Sequence, residues 1–250
     1  MATRATKKPT RLLQALPPSN RRRALRVATN PVGRPVGRNS DDTRTAILDA
    51  AEARFAELGY DGTSIRDIAA QCNVQAAGIG YHFGSKEELF DTIVKRRATI
   101  INEARTRALT EMKLASKGRP LPIEALVENY VDPLLQATTH GEPGWRNFAS
   151  LMGRLANSPR GTDMINKHYS EVASLYMDEF CRALPKVPQP RLADAFLFMV
   201  SAMLFVCADS GRWEAMVGDD HKKHRETRAI LDDLVPFMTG GFAALAKDGR

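Results

Sequence analysis

The chain has 250 residues, 43% of them hydrophobic, with a net charge of +7 and three cysteines. That length fits one large domain or two small ones with a real core, and no stretch reads as long and apolar enough to span a membrane. The best candidate, Leu192–Ala208, is short and carries Asp194 and Ser201, so a buried helix is expected there. The first residues lack an apolar leader, and the expected location is the cytoplasm. Cys72, Cys181 and Cys207 are scattered, without metal spacing, so reduced thiols and no metal cofactor are expected.

The charge is unevenly placed. Residues 1–40 hold ten Lys or Arg and no Asp or Glu, so the remainder sums to −3. Rich in Pro, Arg, Asn and Thr, this stretch reads as a disordered basic arm. Its end, Gly33-Arg34-Pro35-Val36-Gly37-Arg38, is slim and cationic. Arg34 and Arg38 suit a narrow A·T-rich minor groove, although a solvated tail has the same composition. Residues 41–97 carry seven basic and ten acidic side chains. Bulk attraction to phosphate therefore falls largely to the arm.

Three short helices are expected next. The first starts near Ser40–Asp42, repeats Ile47, Ala51, Phe55 and Leu58 at helical spacing, and stops at Gly59. Thr63 or Ser64 caps the second, which turns Ile65, Ile68 and Ala69 inward and ends near Cys72-Asn73. The third runs roughly Gln75–His82, anchored by Val74 and Ile79 and sealed by Phe83. Ser85 caps a fourth, with Glu87 and Glu88 where the helix dipole favours acids. Two short helices joined by a tight turn form a helix-turn-helix, which puts a small helix into a DNA groove.

The rest reads as helical: Ile123–Thr139, Trp145–Ala156, Thr162–Leu184, Arg191–Ser210 and His224–Ala246, punctuated by Gly and Pro. Pro236 should kink the last of these. No strand-like alternation and no internal repeat is seen. The fold class is all-α, with an N-terminal helix-turn-helix domain over residues 41–97 and a C-terminal helical domain over residues 98–250.

The pattern Thr63-Ser64-Ile65, Ile68-Ala69, Val74 and Tyr81-His82-Phe83-Gly84-Ser85-Lys86-Glu87-Glu88-Leu89 resembles the N-terminal domain of TetR-family repressors. The resemblance implies that Tyr81, His82, Lys86 and the amide opening the fourth helix hold phosphates. It implies that Thr43 or Arg44, Thr63 and Ser64 grip the flanking backbone. Hydroxyls, a cation and helix N-termini suit that work. The groove-facing candidates are Gln75, Ala76, Ala77, Gly78 and Gly80. Of these only Gln75 can hydrogen-bond a base edge, preferably adenine. Sequence reading would then lean on apolar contacts and DNA shape.

The stretches Phe148–Tyr169 and Leu231–Ala243 loosely resemble PsrA-type fatty-acid-responsive repressors. That implies a long-chain fatty acid or acyl-CoA effector. Trp145, Phe148, Met152, Tyr169, Tyr176, Met177 and Phe180 form an aromatic and Met-rich set that fits either an apolar pocket or ordinary core. Arg146, Arg154 and His168 could meet a charged head group or simply face solvent.

Leu192, Phe196, Met199, Val200, Met203 and Val206 make one broad apolar face, and Leu231, Leu234, Val235, Met238, Phe242 and Leu245 another. The family plan pairs two such helices with their copies in a homodimer, and a twofold dimer reads a palindromic operator; the alternative is that both faces are only internal core. No nucleophile motif, P-loop or dinucleotide fingerprint is present, so no enzyme is expected. The expected function is a ligand-responsive repressor binding double-stranded DNA. A non-specific nucleoid-type protein using its basic arm is the alternative.

Overall fold

The computed structural model describes residues 40–218 and 226–247, apart from the side chain of Arg160. The basic arm with Arg34 and Arg38 lies outside them. No strand occurs among the described residues. The elements are α1 (Ser40–Gly62), α2 (Ile65–Cys72), α3 (Ala76–Phe83), α4 (Lys86–Ser116), α5 (Ile123–His140), α6 (Gly144–Leu155), α7 (Pro159–Ala183), α8 (Gln189–Ala208), α9 (Arg212–Val217) and α10 (Thr227–Lys247).

Local chemistry explains most of the boundaries. Helical geometry breaks in α1 at Gly59, whose φ of 74° suits glycine. Ser64 and Asp67 form a reciprocal capping box at the start of α2, and Ser85 and Glu88 do the same for α4. Asn73 ends α2 in the left-handed region at φ 55°, which asparagine tolerates. α7 begins at Pro159, earlier than the apolar pattern suggests, because Ser158 caps it and proline suits the first helical position. The six-residue α9 has no apolar period to announce it.

α1 to α3 close over a core of Phe55, Ile68, Ile79, Phe83 and Phe90. The ring of Phe90 meets those of Phe55 and Tyr60 edge-on at 4.9 and 5.0 Å. α4 continues out of this core for 31 residues without interruption. α6 packs on α1 and on α8, α7 on α4, and α10 on α5.

α8 and α10 correct two expectations. They are 20 and 21 residues long and apolar enough, by length and composition alone, to cross a membrane. Of the faces expected to pair with a second subunit, Leu192, Phe196, Met199, Met203, Leu231, Val235, Met238 and Phe242 are buried in the core, and Val200, Val206, Leu234 and Leu245 are half-buried. A second apolar stripe faces outward. Leu197, Phe198 and Phe205 on α8 and Phe237 on α10 are exposed, Phe198 by 70% and Phe237 by 76%. Each helix is therefore apolar on two sides, which a single core does not require.

Two long-range charge contacts tie the layers together. Glu52 of α1, fully buried, accepts from Arg97 Nε at 2.9 Å and Nη2 at 2.7 Å, and from Arg96 Nη2 at 2.9 Å. Gly144 opens α6 against this pair, and a Cβ there would collide with both Arg97 Nη2 and Glu52 Oε2. Asp91 of α4 meets Lys167 Nζ at 2.8 Å and His168 Nε2 at 2.7 Å on α7. Burial disfavours its charge, but the hydrogen bonds from Lys167 and His168 win and hold the carboxyl below its ordinary range.

Two outcomes follow from these pairs. Glu52→Leu leaves a buried guanidinium uncompensated and should cost about 3 kcal/mol or more. Glu52→Leu with Arg97→Met should recover most of that loss, read as urea midpoints. A lowered Asp91 pKa means its stabilisation is present above its unfolded value of about 4 and lost as pH falls through the folded value. The melting-temperature gap between wild type and Asp91→Asn should therefore be widest near neutrality and close as pH falls through the folded value.

Candidate nucleic-acid interface

α2, the turn Asn73-Val74-Gln75 and α3 make a two-helix corner on the surface of the α1–α4 core. Two backbone bonds close the turn, from Val74 N to Ala69 O at 3.0 Å and from Asn73 N to Ala70 O at 3.3 Å. α3 is held by Ile79 and Phe83, its two buried residues, with Val74 partly buried beside them. The opposite face presents Gln75, Ala76, Ala77, Gly80 and Tyr81, all exposed, with Gly78 half-buried at its margin. Gln75 occupies the N-cap position but makes no capping bond with its side chain. Tyr81 is 86% exposed and meets the half-buried His82 ring edge-on at 5.3 Å.

The glycines of α3 are informative. A Cβ at Gly78 or Gly80 would meet nothing within 4 Å. Neither residue is among those with positive φ. Folding therefore gains nothing from glycine here, while each costs about 1 kcal/mol of helix propensity relative to alanine. What glycine offers is closer approach of the backbone to a partner on the outer face.

The flanking positions divide. Lys86 Nζ lies 4.2 Å from the centre of the Tyr60 ring, and the exposed Arg44 guanidinium 4.9 Å from the centre of the Phe83 ring. Both cations are thus braced at the edges of the α3 face. Thr43 is half-buried and Ser64 exposed. The Ser64 hydroxyl donates to Asp67 Oδ2 at 2.6 Å and accepts from Asp67 N at 3.1 Å, so it serves the cap first. Thr63 departs from expectation. It is 2% exposed, and its hydroxyl donates toward Gly59 O at 2.8 Å and Arg54 O at 3.1 Å, which turns it away from any ligand. At the start of α4, Glu88 takes the Ser85 amide and Ser85 takes the Glu88 amide. Those two donors are therefore already used within the first turn.

The residues proposed to line an effector pocket fall into more than one group, with Tyr176 and Phe180 joined through the rings of Tyr130 and Phe196. Trp145 stacks under Arg97, with the guanidinium 4.5 Å from its ring, and Phe148 packs against it. Tyr176 meets Tyr130 at 4.9 Å. Phe180 stacks flat on Phe242 at 4.5 Å. Met152 is core, Met177 is partly buried, and Tyr169 is half-buried beside α4. The head-group candidates are committed elsewhere: Arg146 to Asp209 at 3.3 Å, Arg154 to Glu57 O at 3.3 Å, and His168 to Asp91.

Sequence reasoning passed over the buried charges. Glu52, Arg97 and Arg105 are each buried on an otherwise apolar helix face. The available signal was a charged residue inside an apolar stripe: Arg105 stands between Ile101 and Leu109 at four-residue spacing.

Residues 47–93 match the family model of bacterial regulatory proteins, tetR family, and residues 128–241 match the tetracyclin repressor-like C-terminal domain. The chain is 45% identical over 49 residues to IcaR, the negative transcriptional regulator of the biofilm operon icaADBC in Staphylococcus aureus (strain Newman). That match spans 20% of the chain and 26% of IcaR. The HTH-type transcriptional regulator Mb3439c of Mycobacterium bovis is 35% identical over 109 residues, 42% of the chain and 56% of that protein. The chain thus spans about a quarter and just over half of these relatives' lengths. Among solved structures, the hemolysin II transcriptional regulator HlyIIR superposes with a TM-score of 0.54 at 20% identity, covering 80% of this chain and 99% of that one. A TetR-like transcriptional regulator from Rhodococcus sp. RHA1 gives 0.53 at 20% identity, over 83% and 99%.

The glycine argument has a two-sided consequence. Gly78→Ala with Gly80→Ala should stabilise the free protein, by up to about 2 kcal/mol in all. The same variant should weaken duplex binding by roughly tenfold or more. Thermal melts and fluorescence anisotropy read the two effects separately. Unchanged affinity would mean that the outer face of α3 meets no partner closely.

Proposed function

We propose, because the chain belongs to the TetR family of transcriptional regulators, that it is a cytoplasmic repressor that binds a palindromic operator as a homodimer and leaves it when a small hydrophobic effector binds. The observation that carries this reading is the outer face of α3, where an exposed Gln75 and methyl and glycine surface stand between the cations Arg44 and Lys86. Gln75 suits adenine, alanine methyls suit thymine, and bare backbone suits close approach to the groove. Repression is supported by the match to IcaR, which is named a negative regulator.

A homodimer is supported by the outward stripes of α8 and α10. Between them runs an apolar groove of about 710 Å³, bordered by Phe198, Phe237 and the exposed backbone of Gly240 and Gly241. A second copy related by a twofold axis would bring the same stripes together, and a twofold dimer matches a palindrome. For the effector, the resemblance of the C-terminal half points to a fatty acid or acyl-CoA. The mechanism is a population shift: effector binding favours a state whose two α3 helices are mis-spaced for successive major grooves.

Selection from random duplexes should return a palindromic site, and sedimentation should give a dimer. Phe237→Asp should yield monomers that have lost the site. Tyr81→Ala with Lys86→Ala should stay dimeric and weaken every duplex, by roughly tenfold. Selection that returns no common sequence, with equal affinity for all duplexes, would sink the operator reading in favour of non-specific binding.

A further inference from the structure

Among the described residues, three sites hold a fully buried charge. Glu52 has Arg97 and Arg96. Glu179 has Lys113 at 2.9 Å and Arg182 at 3.1 Å. Arg105 is the exception. It is 1% exposed, and no carboxylate of the described residues pairs with it. Its Nε donates to the backbone oxygen of Tyr130 at 2.8 Å, and its Nη2 points at the thioether of Met203 at 3.4 Å, a weak acceptor. The guanidinium lies 3.7 Å from the centre of the Tyr130 ring. Arginine does not shed its proton inside proteins, so this cation stays charged in an apolar core.

Other polar groups lie close by. Tyr176 donates to Asn129 Oδ1 and, at 3.3 Å, to the backbone oxygen of Arg105. One turn earlier on the same face of α4, Asn102 donates to His168 O at 2.7 Å, but its Oδ1 is buried with no donor. The cluster thus contains an unmatched cation and an unmatched acceptor, three residues apart on one helix. Around it the walls are apolar: Tyr130 meets Phe196 at 5.1 Å and Tyr176 at 4.9 Å. Tyr169 is the aromatic of this group that keeps accessible surface. Burial pushes its phenol above the ordinary range while the Arg105 charge pulls the other way.

We propose that Arg105 anchors the carboxylate of an apolar acid, in an effector site between α4, α5, α7 and α8. The proposal rests on the reading of the chain as an effector-responsive regulator and narrows it. One guanidinium neutralises one negative charge. A carboxylate supplies that charge and matches the planar fork with two parallel hydrogen bonds. A phosphate dianion would leave a buried negative charge, and a thioester or ester would leave the cation unmatched. The site therefore takes the free acid in preference to its esters. Asn102 Oδ1 accepts from a bound water or hydroxyl beside it, and Tyr169 marks the side of approach.

The test uses the full-length protein with laurate and methyl laurate, both below micelle-forming concentrations. Laurate should raise the wild-type melting temperature and release selected operator DNA, with methyl laurate at least tenfold weaker. In Arg105→Met the two compounds should act alike. Without ligand, Arg105→Met should melt higher than wild type, because an unmatched buried charge is gone. If Arg105→Met does not fold, Arg105→Lys decides: retained preference for the acid supports the anchor, and lost preference overturns it. Methyl laurate equal to laurate on wild type overturns the anchor and leaves the effector reading standing. If neither compound acts on wild type, the acyl effector reading fails separately. The ligand-free melting point then decides: a higher value for Arg105→Met supports a cation held for another carboxylate, and a lower one makes Arg105 structural.

Discussion

The structure turns on one buried ion pair. Glu52 and Arg97 face each other with two hydrogen bonds, and α1, α4 and α6 all meet there. Arg97 also carries the Trp145 ring and approaches Glu142 at 3.8 Å. Such a pair adds little net stability over an apolar replacement, because desolvation consumes the Coulombic gain. What it fixes is geometry, since a two-pronged arginine–carboxylate contact tolerates little rotation. The backbone of Gly144 fits against it with no room for a side chain. The helix-turn-helix is therefore registered on the first turn of α6 as well as on its own core.

The outer side of the helix-turn-helix shows a different economy of charge. Asp67, Glu87 and Glu88 stand near the ends of α2 and α4, where bare carboxylates would repel phosphate. Asp67 and Glu88 are drawn into capping boxes. Hydrogen bonds from Ser64 hold Asp67, and those from Ser85 hold Glu88, below the ordinary carboxyl range. The acids thus serve the helix ends that present the cations. The outer face of α3 itself presents few polar side chains.

Legibility in the sequence followed the range of the interactions. The starts of α2 and α4 and the turn at Asn73 depend on residues three or four apart, so Ser64, Asn73 and Ser85 could be read directly. Gly59 announced its break for the same reason. The full length of α4 could not be read, because Arg97 and Arg105 interrupt its apolar stripe and are reconciled only by Glu52 and by the Tyr130 backbone, far away in the chain. Periodicity also could not choose between the two apolar faces of α8. Leu192, Phe196 and Met199 form one, Leu197, Phe198 and Phe205 the other, and tertiary packing decides which turns inward. Composition gathered Trp145, Tyr176 and Phe180 into one cluster, whereas Trp145 packs with Arg97 and Phe148, apart from Tyr176 and Phe180, which share the rings of Tyr130 and Phe196.

α4 is the element through which the two halves of the molecule can exchange free energy. It holds Lys86 at the edge of the α3 face, Arg97 in the buried pair and Arg105 in the C-terminal half. It contains neither glycine nor proline from Lys86 to Ser116. Lys86 and Arg105 are about 28 Å apart at 1.5 Å per residue. A helix of that kind bends little, so a small displacement at the Arg105 end must reappear as tilt at the other or be absorbed at a joint. The joints available are the Glu52–Arg97 pair and the contacts of Asp91 with Lys167 and His168. The bidentate Glu52–Arg97 pair is the more demanding of the two and favours one arrangement over a continuum. A ligand that neutralises Arg105 shifts this balance only by the difference in its affinity for the two arrangements.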